Sequence, residues 1–409
     1  MKNWLGVSLV AALLSACGGG DRTALPAAQP QAGVAFPSGA SHEYPNYRAK
    51  ALTGLGGGIG AGNSINDLGW VTGIASLSGS GSSHATLWRH GSAEDLGTLG
   101  GANSGVEWQV DNDRGIVAGI SETSTSDPNN ESWSCAAFFP TNGHTCLGFV
   151  WKDHTMTPLA TLGGSNGYAA GVNERGAIVG WAETTYHDPT CVAPTHVLQF
   201  LPVVWEPGSA HTIHQLTPYG SDPDGAATAI NDNGQIVGIS GTCDQQVGRF
   251  SARHAVLWEN GVAHDLGSLG GIAWNTPTAL NEAGAVVGFA DLRGDRNGNP
   301  KFHAFYWTRA GGMVDIGTLA GDKYSEALGI NAQGIVVGVS YSAGFKRSRA
   351  FIWQSGKRLV NMQTLLPKST NLSLLFANSI NDAGQVSGEA CVVSSTGCSG
   401  SPAFIANPI

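Results

Sequence analysis

The sequence predicts an all-β chain, a β-propeller of about seven four-stranded blades closed by its N-terminal strand. Three observations lead there: a hairpin unit that returns along the chain, four short strand-like runs in each unit, and a phase offset between the two ends of the array.

The hairpin is clearest at Ala226 to Gly238, where Thr228-Ala229-Ile230 and Gln235-Ile236-Val237 flank Asn231-Asp232-Asn233-Gly234. Asx side chains stabilise such a turn locally, and Gly supplies a left-handed residue without strain. Aligned on its asparagine, the unit recurs at Asn66, Asn112, Asn173, Asn231, Asn281, Asn331 and Asn381, about 50 residues apart, which marks an array of supersecondary units. A turn role accounts for these asparagines without invoking a ligand. A second glycine ends each second strand, as at Gly73 and Gly238.

A third strand follows a variable loop and ends in Trp88, Trp151, Trp205, Trp258, Trp307 or Trp353, rings expected to pack between blades. Asp95-Leu96-Gly97-Thr98-Leu99-Gly100-Gly101 and its relatives then supply a fourth strand and a Gly-rich turn. The array enters on a strand of the fourth type, at Ala51 to Gly57, and leaves on one of the third type, at Ala403 to Asn407. A complete last blade therefore needs the leading strand to join the final three, which also removes exposed sheet edges. A β-solenoid is the alternative, but its coils need fewer residues and carry no such offset.

Composition agrees with this reading. Charged residues are 12% of the chain, against about 25% in an ordinary domain, and 59 glycines suit many turns rather than long helices. The net charge of −9 has no basic stripe, which argues against a nucleic-acid partner.

The N-terminus has the form of an export signal over residues 1–16: Lys2, an apolar run from Leu5 to Leu14, then Leu14-Ser15-Ala16-Cys17. This ending resembles the bacterial lipobox, which implies cleavage before Cys17, lipidation of its thiol and, with Gly18 following, sorting to the outer membrane. Residues 17–47 read as a flexible tether of roughly 30 Å reach, and residues 48–409 as the propeller. The lipid anchor is then the sole membrane attachment expected, on a monomer facing either the periplasm or the outside.

The Asp-Leu-Gly-Thr-Leu-Gly-Gly turn, the Ile-Asn-x-x-Gly-x-Val-Val-Gly hairpin and His303-Ala304-Phe305 resemble the bacterial extracellular HAF-repeat family over about Arg48 to Asn407. Departures are Leu147-Gly148, Leu201-Pro202 and Arg349-Ala350, which stand where His-Ala is expected. The resemblance implies an exported repeat protein and lends no catalytic residues.

Six further cysteines fall between second and third strands, an even number that suggests disulfides in an exported chain. Local pairing gives Cys135–Cys146 and Cys391–Cys398, leaving Cys191–Cys243 to join neighbouring blades. All of them, with the long loops and Gly-rich turns, belong to one face of a meander propeller. That face also collects Trp108, Trp133, Tyr168, Trp274 and Tyr324, which either stack on a sugar or peptide or pack the loops.

Chemistry is sparse. Glu107 and Glu326, each five residues before a repeat asparagine, are the weak catalytic candidates; both are expected as solvated carboxylates at the inner rim, too far apart to work on one bond. His84, His254 and His303 repeat on different blades, so a hydrogen bond between adjacent strands suits them better than a shared metal. Asp295, Asn297 and Asn299 space oxygen donors as calcium loops do, but without the distal Glu. No cofactor is expected. The function expected is a binding or scaffold module for a surface protein or glycan; the alternative is a carbohydrate-active hydrolase or lyase working on the loop face.

Overall fold

A computed structural model describes residues 43–409, apart from 110–111, 132, 141, 245–247, 296–299 and 396. The expected export signal, Cys17 and most of the tether lie outside the described residues.

Seven four-stranded antiparallel meanders stand around a common axis. Blade four shows the pattern: Asp224–Ile230 innermost, then Ile236–Gly241, Ala252–Glu259 and Val262–Asp265 outward. The last blade is assembled from both chain ends. Its inner strands are Leu372–Ile380 and Val386–Ser394, followed by Ala403–Pro408, and Tyr47–Ala51 pairs outermost. The closing register runs antiparallel from Tyr47 opposite Pro408 to Ala51 opposite Phe404. The closing strand thus begins earlier than expected. Tyr44 and Tyr47, assigned to the tether by sequence, are buried in the core of the closing blade, and the Tyr44 hydroxyl donates to the Arg358 carbonyl at 3.1 Å.

The repeat asparagines do more than shape their turns. Each Oδ1 accepts from the backbone N–H four residues on, as Asn281 does from Ala285 at 3.0 Å. Each Nδ2 donates to the backbone carbonyl of the asparagine in the next blade, beginning with Asn66 to Asn112 at 3.1 Å. The relay continues through Asn173, Asn231, Asn281, Asn331 and Asn381, and the last donates back to Asn66 at 2.8 Å. The chain of donors is a closed circle. Sequence reasoning found the turn and missed the relay.

The second glycine of each unit also has a steric cause. Opposite it the innermost strand carries a bulge, for example between Ala227 and Ala229, which turns a carbonyl toward the neighbouring strand. A Cβ on Gly238 would lie 2.0 Å from the Ala226 carbonyl oxygen, and one on Gly73 would lie 1.9 Å from that of Ala61. No side chain fits there.

The tryptophans pack as expected, and three of them also hold the chain between blades. Trp88, Trp205 and Trp258 are buried, and their indole N–H groups donate to Thr53, Ala160 and Thr217 carbonyls at 2.7, 2.9 and 2.7 Å. Those carbonyls lie on the segments leading into the same blades. Trp307 and Trp353 are half-buried.

Asn281→Ala should cost about 1–3 kcal/mol, since it removes two bonds and leaves the N–H of buried Ala285 without its acceptor, while the Asn331 carbonyl keeps the bond from Gly334 N–H. Gly238→Ala should cost at least as much, by forcing strand one away from strand two. Denaturant midpoints of the two variants against wild type check both, with Asn233→Ala on the exposed turn as a mild comparison.

Candidate functional site

The two faces of the ring differ in kind. One carries the short asparagine turns. Beside the asparagine relay runs a second one, in which the backbone N–H after each asparagine donates to a carboxylate of the next blade. Asp67 donates to Asp113 at 3.0 Å, Asp113 to Glu174 at 2.8 Å, and Asp382 back to Asp67 at 2.8 Å. Ala332 interrupts this acidic series. Burial raises the Asp67 and Glu174 carboxyls, the neighbouring N–H lowering and the adjacent carboxylates raising them further. A notch of about 270 Å³ also opens on this face over blade five, lined by Gln235 of blade four, Asn281, Tyr306 and Arg309 of blade five and Gln333 of blade six among others. It holds no reactive constellation.

The other face carries the long loops and all three disulfides, Cys135–Cys146, Cys191–Cys243 and Cys391–Cys398, paired as the sequence suggested. Cys191–Cys243 joins the loops of blades three and four.

The expected aromatic rim is largely interior. Tyr168 and Trp274 are only 3% and 2% exposed. Trp274 lies against Phe289 and Phe302, while Tyr324 stacks on Phe302 and Phe345 at 5.3 and 4.8 Å. Trp108 packs half-buried over the core of blades two and three, and Trp133 stacks on His196. These rings fill the base of the loop face because the small residues of the inner strands leave space that only large side chains can fill.

Glu326 is not the solvated rim carboxylate expected, and Glu107 is half-buried. Glu326 is buried on the inner strand of blade six, where its Oε2 accepts from the Tyr341 hydroxyl at 2.9 Å and its Oε1 has no partner. Burial pushes its pKa up to about 8, against the Tyr341 hydrogen bond. Glu107 lies beyond its own inner strand, Gly100–Gly105, because the stretch from Gly105 to Asn112 is longer than its counterpart Ala226 to Asn231. Glu107 Oε2 lies 3.4 Å from the Asn63 amide nitrogen, and Gln109 reaches from blade two to donate to the Leu328 carbonyl of blade six at 3.0 Å. Burial lifts Glu107 to about 7. The two carboxyls face different partners, so they form no pair.

The recurrent histidines are strand ties. His84 Nδ1 lies 2.8 Å from Asp95 Oδ1 and His303 Nδ1 2.9 Å from Asp315 Oδ2, each across strands three and four. His254 instead meets Asp222, on the segment entering its blade, at 2.8 Å. Asp295 turns inward: it is buried and lies 3.9 Å from Arg249, and after burial its carboxyl is what raises that of Asp291. Asn297 and Asn299, the other calcium candidates, lie outside the described residues.

A cluster that no sequence spacing signalled lies beneath the loop face. Glu131 from the long loop of blade two, Glu183 from the second strand of blade three and His196 from that blade's loop converge there, all buried. Burial, then the charge of Glu183, pushes Glu131 up to about 7. For His196, burial opposes charging, but the neighbouring Glu183 and Glu131 carboxylates prevail and raise it.

Glu326 gives a pH test. Its carboxyl is raised from 4.5 to about 8 in the fold, so between those values the folded chain holds a proton that the unfolded chain has lost. Stability then falls as pH rises, by about 1.4 kcal/mol per unit at most, and levels off above the folded value. Glu326→Gln, neutral throughout, should match wild type near pH 4.5 and become progressively more stable than it toward pH 8, as read by denaturation at each pH.

No family model and no curated protein matches the chain. Among solved structures it is similar to a protein of unknown function from Dyadobacter fermentans, with 9% identity, a TM-score of 0.40, and coverage of 89% of this chain and all of that one. It is also similar to Porphyromonas gingivalis dipeptidyl peptidase 4, with 12% identity and a TM-score of 0.40. The match covers 81% of this chain and about half the length of the peptidase, 50%. At these scores neither likeness carries a functional argument.

Proposed function

We propose that this chain is an exported, lipid-anchored propeller of HAF-repeat type that acts as a binding or scaffold module at the bacterial cell envelope. The observation that carries the reading is where exposed apolar side chains gather. Tyr186 (56% exposed), Val192 (60%), Phe250 (51%) and Ile272 (71%) all stand on the loop face. They belong to blades three and four and the crossing into blade five, beside the Cys191–Cys243 bond. Exposed large apolar residues held by cross-linked loops on a rigid ring suit recognition.

Their chemistry favours a protein over a glycan. Sugar stacking needs open aromatic faces; Tyr168 and Trp274 are occupied by packing, and Arg249 lies over the exposed Phe250 ring at 5.1 Å, which leaves Tyr186 as the open ring of the group. Aliphatic Val192 and Ile272 suit an apolar protein surface instead. Three disulfides agree with an oxidising compartment outside the cytoplasm. Cys17 is the attachment proposed, on the resemblance of Leu14-Ser15-Ala16-Cys17 to the lipobox.

Cross-linking on intact cells tests this. Serine at Val192, Phe250 and Ile272 together should abolish capture of a surface protein without moving the melting midpoint, while Leu68→Ser and Val262→Ser on the opposite side should leave capture intact. Recovery of a glycan, or capture indifferent to the loop-face substitutions, would contradict the reading. Cys17→Ser should move the protein from the membrane to the soluble fraction.

A further inference from the structure

We propose that Glu131, Glu183 and His196 form a site for one divalent transition-metal cation of the zinc class, which pins the long loop of blade two to blade three. This inference stands apart from the identity of any surface partner.

The geometry comes first. His196 Nε2 lies 3.6 Å from Glu183 Oε1 and 3.7 Å from Glu131 Oε2, both too long for a direct hydrogen bond. One donor atom from each residue lies within 4.8 Å of the other two. Donors bound at about 2.1 Å to a tetrahedral ion stand about 3.4 Å apart, so the observed spacing has room for a cation at its centre.

The imidazole is oriented as a ligand. Its Nδ1 faces the Asp244 carbonyl at 3.1 Å and can only donate to it, which directs Nε2 at the two carboxylates. A backbone carbonyl holding the far nitrogen is the usual outer support of a metal-bound histidine. Trp133 and Phe200 lie nearly parallel to the ring at 4.8 and 5.1 Å and 5.4 Å from each other, so the imidazole is held in an aromatic cluster and has little freedom to turn away.

Two polar atoms are then left over. His196 Nε2 and Glu131 Oε2 are buried and have no hydrogen-bond partner, with side chains 0% and 1% exposed. Groups buried this deeply are normally satisfied. Among the described residues, His196 is the only basic group paired with either glutamate, while Asp127, Asp188 and Asp224 are buried close by. The region is short of positive charge. An imidazole with two carboxylates selects zinc-class ions over calcium, which takes six to eight oxygens.

The repeat supplies an internal comparison. Glu122, three residues after Gly119, is the counterpart of Glu183, three after Gly180. Both accept from the inner strand of their own blade: Glu122 from Ala102 at 3.1 Å, and Glu183 from Asn166 at 2.8 Å. That much is strand tying. Blade three alone adds a histidine and a second glutamate to the position.

The test uses the full chain with its disulfides intact, stripped with EDTA and then titrated with ZnCl2 or CaCl2. Bound metal is counted by mass spectrometry after desalting, and melting is followed in parallel. Wild type should hold one zinc per chain and melt several degrees higher with zinc, but not with calcium. Glu131→Gln and His196→Gln should each weaken zinc binding at least tenfold, and Glu122→Gln should not. If His196→Gln fails to fold, Glu131→Gln and the wild-type stoichiometry still decide. Wild type that binds no zinc, zinc binding unchanged in Glu131→Gln, or preference for calcium would overturn the proposal. So would binding that appears only after reduction, since the Cys191 and Cys243 sulfurs also lie near His196.

Discussion

The circle of asparagine side chains is the constraint on which the rest of the molecule depends. Each blade is a small sheet with too little core to stand alone, and each asparagine both shapes its own turn and satisfies a buried carbonyl of the next. A single bond of this kind contributes only about 1 kcal/mol. Its importance lies in registry: every blade presents the same carbonyl at the same height, so a blade that slid or tilted would strand the asparagine amide that donates to it, although the carbonyl keeps the bond from its own turn glycine. The circle also has no end to fray, because Asn381 donates to Asn66 across the chain termini.

With one face fixed in this way, the opposite face is free to vary. The bulge opposite each second glycine bends the inner strand, the glycine accommodates the turned carbonyl, and the tryptophans grip the incoming segments. None of these contacts involves the connections between second and third strands. Those loops can lengthen, acquire disulfides and carry Val192 or Phe250 into solvent without disturbing the ring. Inward, the same freedom produced carboxyl-rich pockets under the loops, where Glu131 crosses from one blade to meet His196 of the next.

Much of the fold was legible in the sequence because the repeat is periodic and local. The asparagine turns, the Trp-ended strands, the disulfide pairing and the sharing of the last blade between both termini all follow from spacing or phase. The start of the closing strand was not legible: Tyr44 and Tyr47 lie in a stretch of linker-like composition, and only packing reveals them as core. The candidate site was harder to see. Glu107 and Glu326 share an offset from their asparagines, yet a lengthened segment of blade two carries the first beyond its inner strand, beside Asn63, while the second stays on its strand, buried against Tyr341. Glu131, Glu183 and His196 share no spacing at all; three loops and strands from two blades bring them together.

Native-state hydrogen exchange of the closing blade tests the central claim most directly. If the leading strand seals the ring, the hydrogen-bonded amides of Tyr47–Ala51 and Ala403–Pro408 should exchange together, and only as slowly as the whole ring unfolds. Exchange of the Tyr47–Ala51 amides within seconds, while the other blades stay protected, would show an open array and contradict the account.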